Sequence, residues 1–179
     1  MTNIQLLMSA LSIAAQQHNG QKRKDLAGSP YINHPIAVAS LLAGVGNVQD
    51  PEVLTAALLH DVAEDTDMTL QEISVIFGHS IAHLVAECTD DKSLPKEERK
   101  RLQIEHAPHK SIGAKLIKIA DKISNCRDIV SATWETQRKL EYLDWSVKVV
   151  AGLRGVNEDL DALFDDVVAS QRVAIKLLG

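Results

Sequence analysis

Residues 51–65 read PEVLTAALLHDVAED, an almost wholly apolar stretch that ends in a cluster of ionisable side chains. The apolar residues leave no polar face, which indicates a buried helix from residue 51 to about 64. Asp50 suits the N-cap of this helix, and Pro51 suits its first position because proline has no N–H to leave unpaired there. The stretch therefore predicts a buried helix that carries its polar groups at one end.

Helical periodicity continues along most of the chain and predicts an all-α fold. The further helices are expected over 3–18, 35–43, 70–77, 79–89, 95–106, 111–129, 135–153 and 156–177. Residues 19–33 contain two glycines, a proline and a basic run, which are typical of a loop. Thr69 with Glu72 resembles a capping box. Since no repeat, linker or alternating strand pattern interrupts the chain, we predict a single domain over 1–179.

Composition narrows the class of protein. Of the 179 residues, 45% are hydrophobic, which is enough for a core, and only 3% are aromatic, so aliphatic side chains must fill it. The net charge of −5 and the lack of a basic stripe argue against nucleic-acid binding. Cys88 and Cys126 have no metal-site spacing and indicate reduced thiols. Because no signal peptide or apolar run of about 18 residues occurs, we expect a soluble, cytoplasmic protein that binds no membrane.

The cluster HDVAED at 60–65 is the strongest chemical signal. His60 and Glu64 lie four residues apart, as do Asp61 and Asp65, so each pair would stack on adjacent helical turns. Burying such groups without partners costs several kcal/mol, and a divalent cation is the simplest compensation. Imidazole and carboxylate suit Mn, Fe or Zn. The alternative is a solvated helix end whose polar groups face water.

Two distant segments add similar groups. In PYINHP (30–35), His34 precedes a proline, which biases its backbone away from helix and would hold it rigidly at a helix entrance. In KIADKISN (118–125), Asp121 interrupts an apolar helical stretch. Taken singly, each residue has a plainer explanation, an N-cap histidine or an aspartate paired with a neighbouring lysine. Together the segments supply two His and two Asp in the order H…HD…D, a more specific set than any member.

The order H…HD…D resembles the signature of the HD phosphohydrolase superfamily. The surrounding words resemble the hydrolase domain of RelA/SpoT homologues: QKRKDLAGSPYINHPIAVA, ALLHDVAEDTDMTLQEI, ECTDDKSLPKEERKRLQ and GAKLIKIADKISNCRDI. The likeness is nearest to the small stand-alone hydrolases of the metazoan SpoT homologue type and covers roughly residues 5–178. It implies an HD-domain helical bundle of about ten helices, with hydrolase but no synthetase activity.

The resemblance also implies roles for individual residues. One Mn²⁺ ion would be bound by His34, His60, Asp61 and Asp121. The catalytic acidic pair would be Glu64 and Asp65. The nucleoside and its base would contact Arg23, Lys24, Tyr31 and Asn125.

A second basic cluster follows from charge. The implied substrate is strongly anionic while the chain carries −5, so local cations must offset the repulsion. Lys92, Lys96, Arg99 and Lys100 are candidates to meet the distal phosphates. The alternative is a solvated helix face, because Glu97 lies in the same helix.

These observations favour a guanosine-3′,5′-bis(diphosphate) 3′-pyrophosphohydrolase that cleaves ppGpp to GDP and pyrophosphate. One alternative is the same metal site acting on another nucleotide, such as NADPH or a nucleoside phosphate. A second is a regulatory module that binds ppGpp without cleaving it, and a third is a helical structural protein. The sequence itself carries no indication of an oligomeric state.

Overall fold

The structure, a computed structural model, describes residues 1–178 and confirms the all-α prediction. In this part of the chain ten α-helices form: α1 (Asn3–Gln17), α2 (Asn33–Gly44), α3 (Pro51–Leu59), α4 (Val62–Asp65), α5 (Leu70–Phe77), α6 (His79–Cys88), α7 (Lys96–His106), α8 (Ile112–Arg127), α9 (Thr136–Ala151) and α10 (Glu158–Leu178). A short 3-10 helix follows α7 at Ala107–His109. The predicted loop at 19–33 contains only isolated bridges, such as that between Lys22 and Pro30.

The predicted caps are confirmed. The Asp50 side chain accepts a hydrogen bond from the Glu52 N–H at 2.8 Å, and a proline opens α3. At the start of α5, Thr69 and Glu72 form the reciprocal capping box. Because caps are local signals, the sequence places these helix starts to the residue.

One predicted helix is wrong in its extent. The expected helix from 51 to about 64 ends at Leu59, and a separate short helix begins at Val62. At the junction, Nε2 of His60 and Oδ2 of Asp61 approach to 3.2 Å. Successive side chains of a straight α-helix point about 100° apart. The convergence of both side chains on one point accounts for the interruption.

The core is aliphatic and surrounds α3. Ala56, Ala57 and Leu59 of this helix are fully buried, and α3 contacts α1, α2, α6 and α8. Helix α8, which packs on α2 and α10, is buried along most of its length. By contrast, α7 buries none of its residues and leans on α9. The elements beside the core are therefore held firmly, whereas α7 lies at the surface.

Two further sequence predictions concern the state of the cysteines and the absence of a membrane span. Cys88 and Cys126 are both buried and form no disulfide. Burial raises the pKa of Cys88 to about 12 and that of Cys126 to about 11, so neither thiol is activated as a nucleophile. Among residues 1–178, no helix combines the length and apolarity needed to cross a membrane.

Candidate active site

The four residues predicted to bind a metal converge from three parts of the chain. His34 lies in the first turn of α2, His60 and Asp61 lie at the α3–α4 junction, and Asp121 lies in α8. Nε2 of His34 is 3.2 Å from Oδ1 of Asp121 and 3.6 Å from Oδ2 of Asp61, and the corresponding distances from His60 are 3.9 and 3.2 Å. Ligand atoms about 2.1 Å from one metal lie about 3.0–3.5 Å apart, so the spacing suits a shared ion.

Each imidazole is oriented by its other nitrogen. Nδ1 of His60 lies 2.8 Å from the Ala57 carbonyl oxygen, to which it must donate. In the neutral ring Nε2 of His60 therefore carries the lone pair, and this buried atom has no hydrogen-bond partner among the described residues. Nδ1 of His34 lies 3.0 Å from Oγ of Ser124. Such outer hydrogen bonds are typical of histidines that bind metals, since they fix the tautomer and the ring plane.

His34 differs from its prediction in one respect. We expected a non-helical backbone before Pro35, but His34 is the second residue of α2. The turn that starts the helix has already begun, because the His34 N–H donates to the Tyr31 carbonyl at 2.9 Å. The steric bias against helix before proline is overcome within this first turn.

The two carboxylates are held as firmly as the imidazoles. Asp61 Oδ2 accepts a 2.7 Å hydrogen bond from the Tyr31 hydroxyl. Asp121 Oδ1 accepts from Nδ2 of Asn125, and its Oδ2 accepts from Nζ of Lys122 at 3.1 Å. Burial opposes ionisation of Asp121, yet Lys122, His34 and Lys118 together outweigh it and hold the pKa of that carboxyl well below its usual range.

The electrostatics of the cluster favour a cation. Burial lowers the pKa of His34. Burial also lowers the pKa of His60, but Asp61, Asp121 and the Ala57 carbonyl together outweigh burial and raise this pKa to about 9. With no ion bound, this pKa keeps a proton on Nε2 of His60 beside the Asp61 carboxylate, and a divalent ion would take the place of that proton. The donor atoms of His34, His60 and Asp121 lie within 4.8 Å of one another, and this set, with Asp61, fits one divalent ion.

The predicted acidic pair borders this cluster. Oε2 of Glu64 accepts the Asp90 N–H at 2.9 Å, and burial raises the pKa of Glu64. Asp65 forms an ion pair with Lys92, and its Oδ2 lies 3.4 Å from the Tyr31 hydroxyl. Both carboxylates therefore sit beside Asp61 with one oxygen fixed by a partner.

The predicted nucleoside-binding residues line one pocket next to the cluster. It is lined by Arg23, Lys24, Tyr31, Asn125, Asp128, Ile129, Trp134 and Tyr142, among others. Nη2 of Arg23 donates to Asn125 at 3.0 Å and to Asp128 at 2.9 Å. The guanidinium also lies over the Tyr31 ring, 5.7 Å from its centroid. Arg23 is thus held in place before any ligand arrives.

A basic groove continues from this pocket. It is lined by Lys24, Lys96, Arg99, Lys100, Arg138, Trp134, Tyr142 and Trp145, with Asp90, Glu97, Gln103 and Glu141. Lys24, Trp134 and Tyr142 line both cavities, so the pocket and the groove are adjacent. Of the predicted distal cluster, Lys92 does not line the groove but pairs with Asp65, and Nη1 of Arg99 lies 3.9 Å from Glu64.

Sequence reasoning missed several of these residues. Trp134 and Trp145 are not among the predicted site residues, yet both line the groove. Arg138 was not considered, yet its guanidinium stacks 4.3 Å from the Trp134 ring centroid. The signal was available in the spacing, because Arg138, Tyr142 and Trp145 follow one another at intervals of four and three along α9.

A second missed group supports Tyr31 from behind. The buried His18 ring lies 4.8 Å from the Tyr31 ring, and its Nδ1 is 2.8 Å from Oε1 of Gln21. Gln21 in turn donates to the Asp65 carbonyl at 2.8 Å. The helical spacing of His18 with the buried Ala14 would have placed this histidine inside.

The chain is similar in sequence to known proteins. The model of the HD domain family matches residues 10–147. The guanosine-3′,5′-bis(diphosphate) 3′-pyrophosphohydrolase MESH1 of Xenopus tropicalis is 49% identical over 173 residues, which cover 95% of this chain and 97% of that protein. The MESH1 of Homo sapiens is 52% identical over 158 residues, with 87% and 88% covered.

A solved structure agrees with the sequence relatives. It is that of a metazoan ortholog of SpoT that hydrolyzes ppGpp and plays a role in starvation responses. It superposes with a TM-score of 0.90 at 46% identity and covers 93% of this chain and 95% of its own. The likeness therefore extends over the whole bundle and includes every element that carries the cluster.

Proposed function

The chain belongs to the HD domain family, and within it to the small SpoT homologues that include MESH1, and from this we propose that it is a guanosine-3′,5′-bis(diphosphate) 3′-pyrophosphohydrolase. It hydrolyses ppGpp to GDP and pyrophosphate and has no synthetase activity, and residues 1–179 act as one HD hydrolase domain. The observation that carries the proposal is the buried two-histidine, two-aspartate cluster that opens onto the pocket around Arg23 and Tyr31.

We propose Mn²⁺ as the ion, bound by His34, His60, Asp61 and Asp121. The mixed imidazole and carboxylate donors suit this metal, and Nε2 of His60, which has no hydrogen-bond partner among the described residues, would supply its lone pair when the ion displaces the proton. When bound, the ion would lower the pKa of a water molecule and withdraw charge from phosphoryl oxygens.

Glu64 and Asp65 are placed to handle protons in this reaction. The Asp90 amide fixes Oε2 of Glu64, so Oε1, which lies 3.9 Å from Nη1 of Arg99, is the oxygen that accepts a proton from the attacking water. The pKa of Glu64, raised by burial, brings this group closer to the working pH and favours general acid–base use. Asp65, held by Lys92 and Tyr31, orients the water from the other side.

Substrate binding divides between the pocket and the groove. In the pocket, the guanidinium of Arg23, with one edge tied to Asn125 and Asp128, offers its face for stacking on the guanine base. Lys24 stands where the pocket meets the groove and contacts the nucleotide. The groove supplies cations for the other phosphates from Lys96, Arg99, Lys100 and Arg138. Lys92 reaches the 3′-pyrophosphate from its place beside Asp65.

The same proposal covers class and location. The protein acts on a small nucleotide in the cytoplasm and binds neither nucleic acid nor membranes. The net charge of −5 supports the first of these exclusions.

A second nucleotide is favoured by one feature. The groove presents three aromatic rings. The Tyr142 ring centroid lies 5.7 Å from that of Trp134 and 5.4 Å from that of Trp145. A second base could stack against this row, which suits a dinucleotide phosphate such as NADPH. The metal cluster would serve both substrates.

A substrate panel decides between these functions. Purified chain loaded with Mn²⁺ is incubated with ppGpp, GTP, NADPH and a deoxynucleoside monophosphate, and products are separated by anion-exchange chromatography. We expect GDP and pyrophosphate from ppGpp, and no turnover after EDTA. Faster phosphate release from NADPH would reassign the substrate. Binding of ppGpp without turnover in either condition would identify a regulatory module instead.

A further inference from the structure

Two buried lysines flank Asp121 on α8. Lys118 and Lys122 are only 6% and 3% exposed, and their Nζ atoms lie 3.8 and 3.1 Å from the same oxygen, Oδ2 of Asp121. A buried ammonium group is costly unless it is paired. One carboxylate cannot neutralise two ammonium groups, so the second lysine needs another acceptor.

The lysines divide the work of the two Asp121 oxygens. Oδ2 faces Lys118 and Lys122, while Oδ1 faces His34 at 3.2 Å and accepts from Asn125. Oδ1 alone is therefore directed into the metal cluster. Restricting the carboxylate to one oxygen fixes the position of that donor and prevents it from binding through both.

Lys118 finds its other acceptor at the end of α6. Its Nζ donates to the carbonyl oxygen of Cys88, the last residue of that helix, at 3.3 Å. Carbonyls at a helix C-terminus are unpaired within the helix and attract cations. Lys118 thus connects α8, which carries Asp121, to the C-terminal end of α6.

The segment after α6 leads directly to the catalytic acidic pair. Two residues beyond Cys88, the Asp90 N–H donates to Oε2 of Glu64 at 2.9 Å. The side chain of Asp90 is itself fixed by Nε2 of Gln103 in α7 at 2.6 Å. The position of Glu64 therefore depends on where α6 ends, and Lys118 holds that end against the Asp121 helix.

We propose that Lys118 is a positioning residue that links the metal donor Asp121 to Glu64 through the C-terminus of α6. It acts at both ends of this link. It keeps Oδ1 of Asp121 in the metal cluster and holds the Asp90 amide that orients Glu64. The effect on Glu64 rests on the proposed function, whereas the effect on Asp121 does not, because metal binding is measured without substrate.

The test compares Lys118→Met with Lys115→Met, a lysine one turn earlier on α8 that is only partly buried. Folding is checked by circular dichroism, Mn²⁺ affinity by calorimetry on metal-free protein, and kcat and KM with ppGpp at saturating Mn²⁺. For Lys118→Met we expect Mn²⁺ to bind about 10–100-fold more weakly and kcat to fall by about tenfold, with KM unchanged. Lys118→Arg should recover part of both losses, and Lys115→Met should match the parent.

A double variant separates the two ends of the link. In a Glu64→Gln background, Lys118→Met should no longer lower kcat but should still weaken Mn²⁺ binding. A folded Lys118→Met protein with parental Mn²⁺ affinity would overturn the inference, whatever the substrate. If Lys118→Met lowers kcat equally with and without the Glu64 carboxylate, the link to Glu64 is wrong. Should Lys118→Met fail to fold, Lys118→Gln carries the same measurements, since it removes the charge but keeps a donor.

Discussion

The cluster of His34, His60, Asp61 and Asp121 and the basic groove are neighbours, but their side chains differ in burial and in how they are held. In the cluster, the side chains of His34 and His60 are 1% exposed and Asp121 is 7% exposed. In the groove, Arg99 is 27% and Lys100 is 31% exposed. Each cluster residue is held by a second contact, whereas the groove cations form long or solvent-exposed pairs. The cluster is therefore preorganised, while the groove acts mainly through its charge.

The difference follows from the helices that carry each region. The cluster is carried by α2, α8 and the α3–α4 junction, which pack around the aliphatic core. Most of the groove cations lie on α7, which buries no residue. A substitution in the cluster thus alters side chains that pack against the core, whereas a substitution in the groove alters side chains that are exposed to solvent. Substitutions should accordingly have steep effects in the first region and shallow ones in the second.

The largest effect is expected from His60→Ala or Asp61→Ala. Either change removes a donor from a cluster whose atoms lie 3.2–3.9 Å apart, and the remaining groups cannot close around one ion. Mn²⁺ binding by calorimetry and ppGpp turnover should be lost together in folded protein. Retention of Mn²⁺ at parental affinity in either variant would remove the residue from the metal site.

Glu64→Gln should retain Mn²⁺ binding and lose most of the hydrolytic activity. The amide keeps an oxygen to accept the Asp90 N–H but cannot take a proton. We expect kcat to fall by about 10²–10⁴-fold, with unchanged KM and Mn²⁺ affinity, measured by steady-state kinetics and calorimetry. A loss of Mn²⁺ affinity would mean that Glu64 is a metal donor and not the proton acceptor.

The sequence predicted the parts of this comparison that depend on local pattern. Periodicity and caps located the helices, because both are set by residues three or four apart. Residue type and local pattern singled out His34, the 60–65 cluster and Asp121, a resemblance assigned their roles, and the structure brings His34 and Asp121 within 3.2 Å. Aspartate as metal donor and aspartate paired with lysine were posed as alternatives. In the structure Oδ2 of Asp121 pairs with Lys122 while Oδ1 faces His34, and no linear spacing encodes that division.

What stayed out of reach were contacts between distant segments. The break after Leu59 arises because His60 and Asp61 turn toward residues far away in sequence. The Asp90 N–H bond to Glu64 spans 26 residues, and the Arg23 bond to Asn125 spans 102. Such pairs depend on how helices pack, and periodicity reports only which face of a helix is buried.

Arg23→Ala tests a residue that stands between the two regions. Its side chain is 12% exposed and is already tied to Asn125 and Asp128, so it resembles the cluster in rigidity and the groove in charge. We expect KM for ppGpp to rise by about 10–100-fold and kcat to change less, because the contact exists before the transition state. Initial rates across a ppGpp series give both constants. A fall in kcat at unchanged KM would place Arg23 in the chemical step.

Lys96→Met should have a smaller, salt-dependent effect. Lys96 is exposed and lines the groove, where its charge is screened by mobile ions. KM should rise a few-fold at low ionic strength and approach the parental value at high ionic strength. Lys148→Met, an exposed lysine on α9 that does not line the groove, serves as the control. Equal effects of the two variants would show that only net charge matters.

The smallest effect is expected for Arg101→Met, which we compare with Arg99→Met. Arg101 lies two residues after Arg99 on α7. Arg99 lines the groove 3.9 Å from Glu64, whereas Arg101 points to the outer face of α7 and pairs with Glu98 and Glu105. Exposed pairs of the latter kind contribute little to stability, so Arg101→Met should alter neither the melting temperature nor KM. Arg99→Met should raise KM for ppGpp in the same assay. Both variants remove one positive charge from α7. A difference in KM between them would therefore show that the groove recognises phosphate through the position of Arg99. Equal KM values would mean that the groove acts only through its overall positive charge.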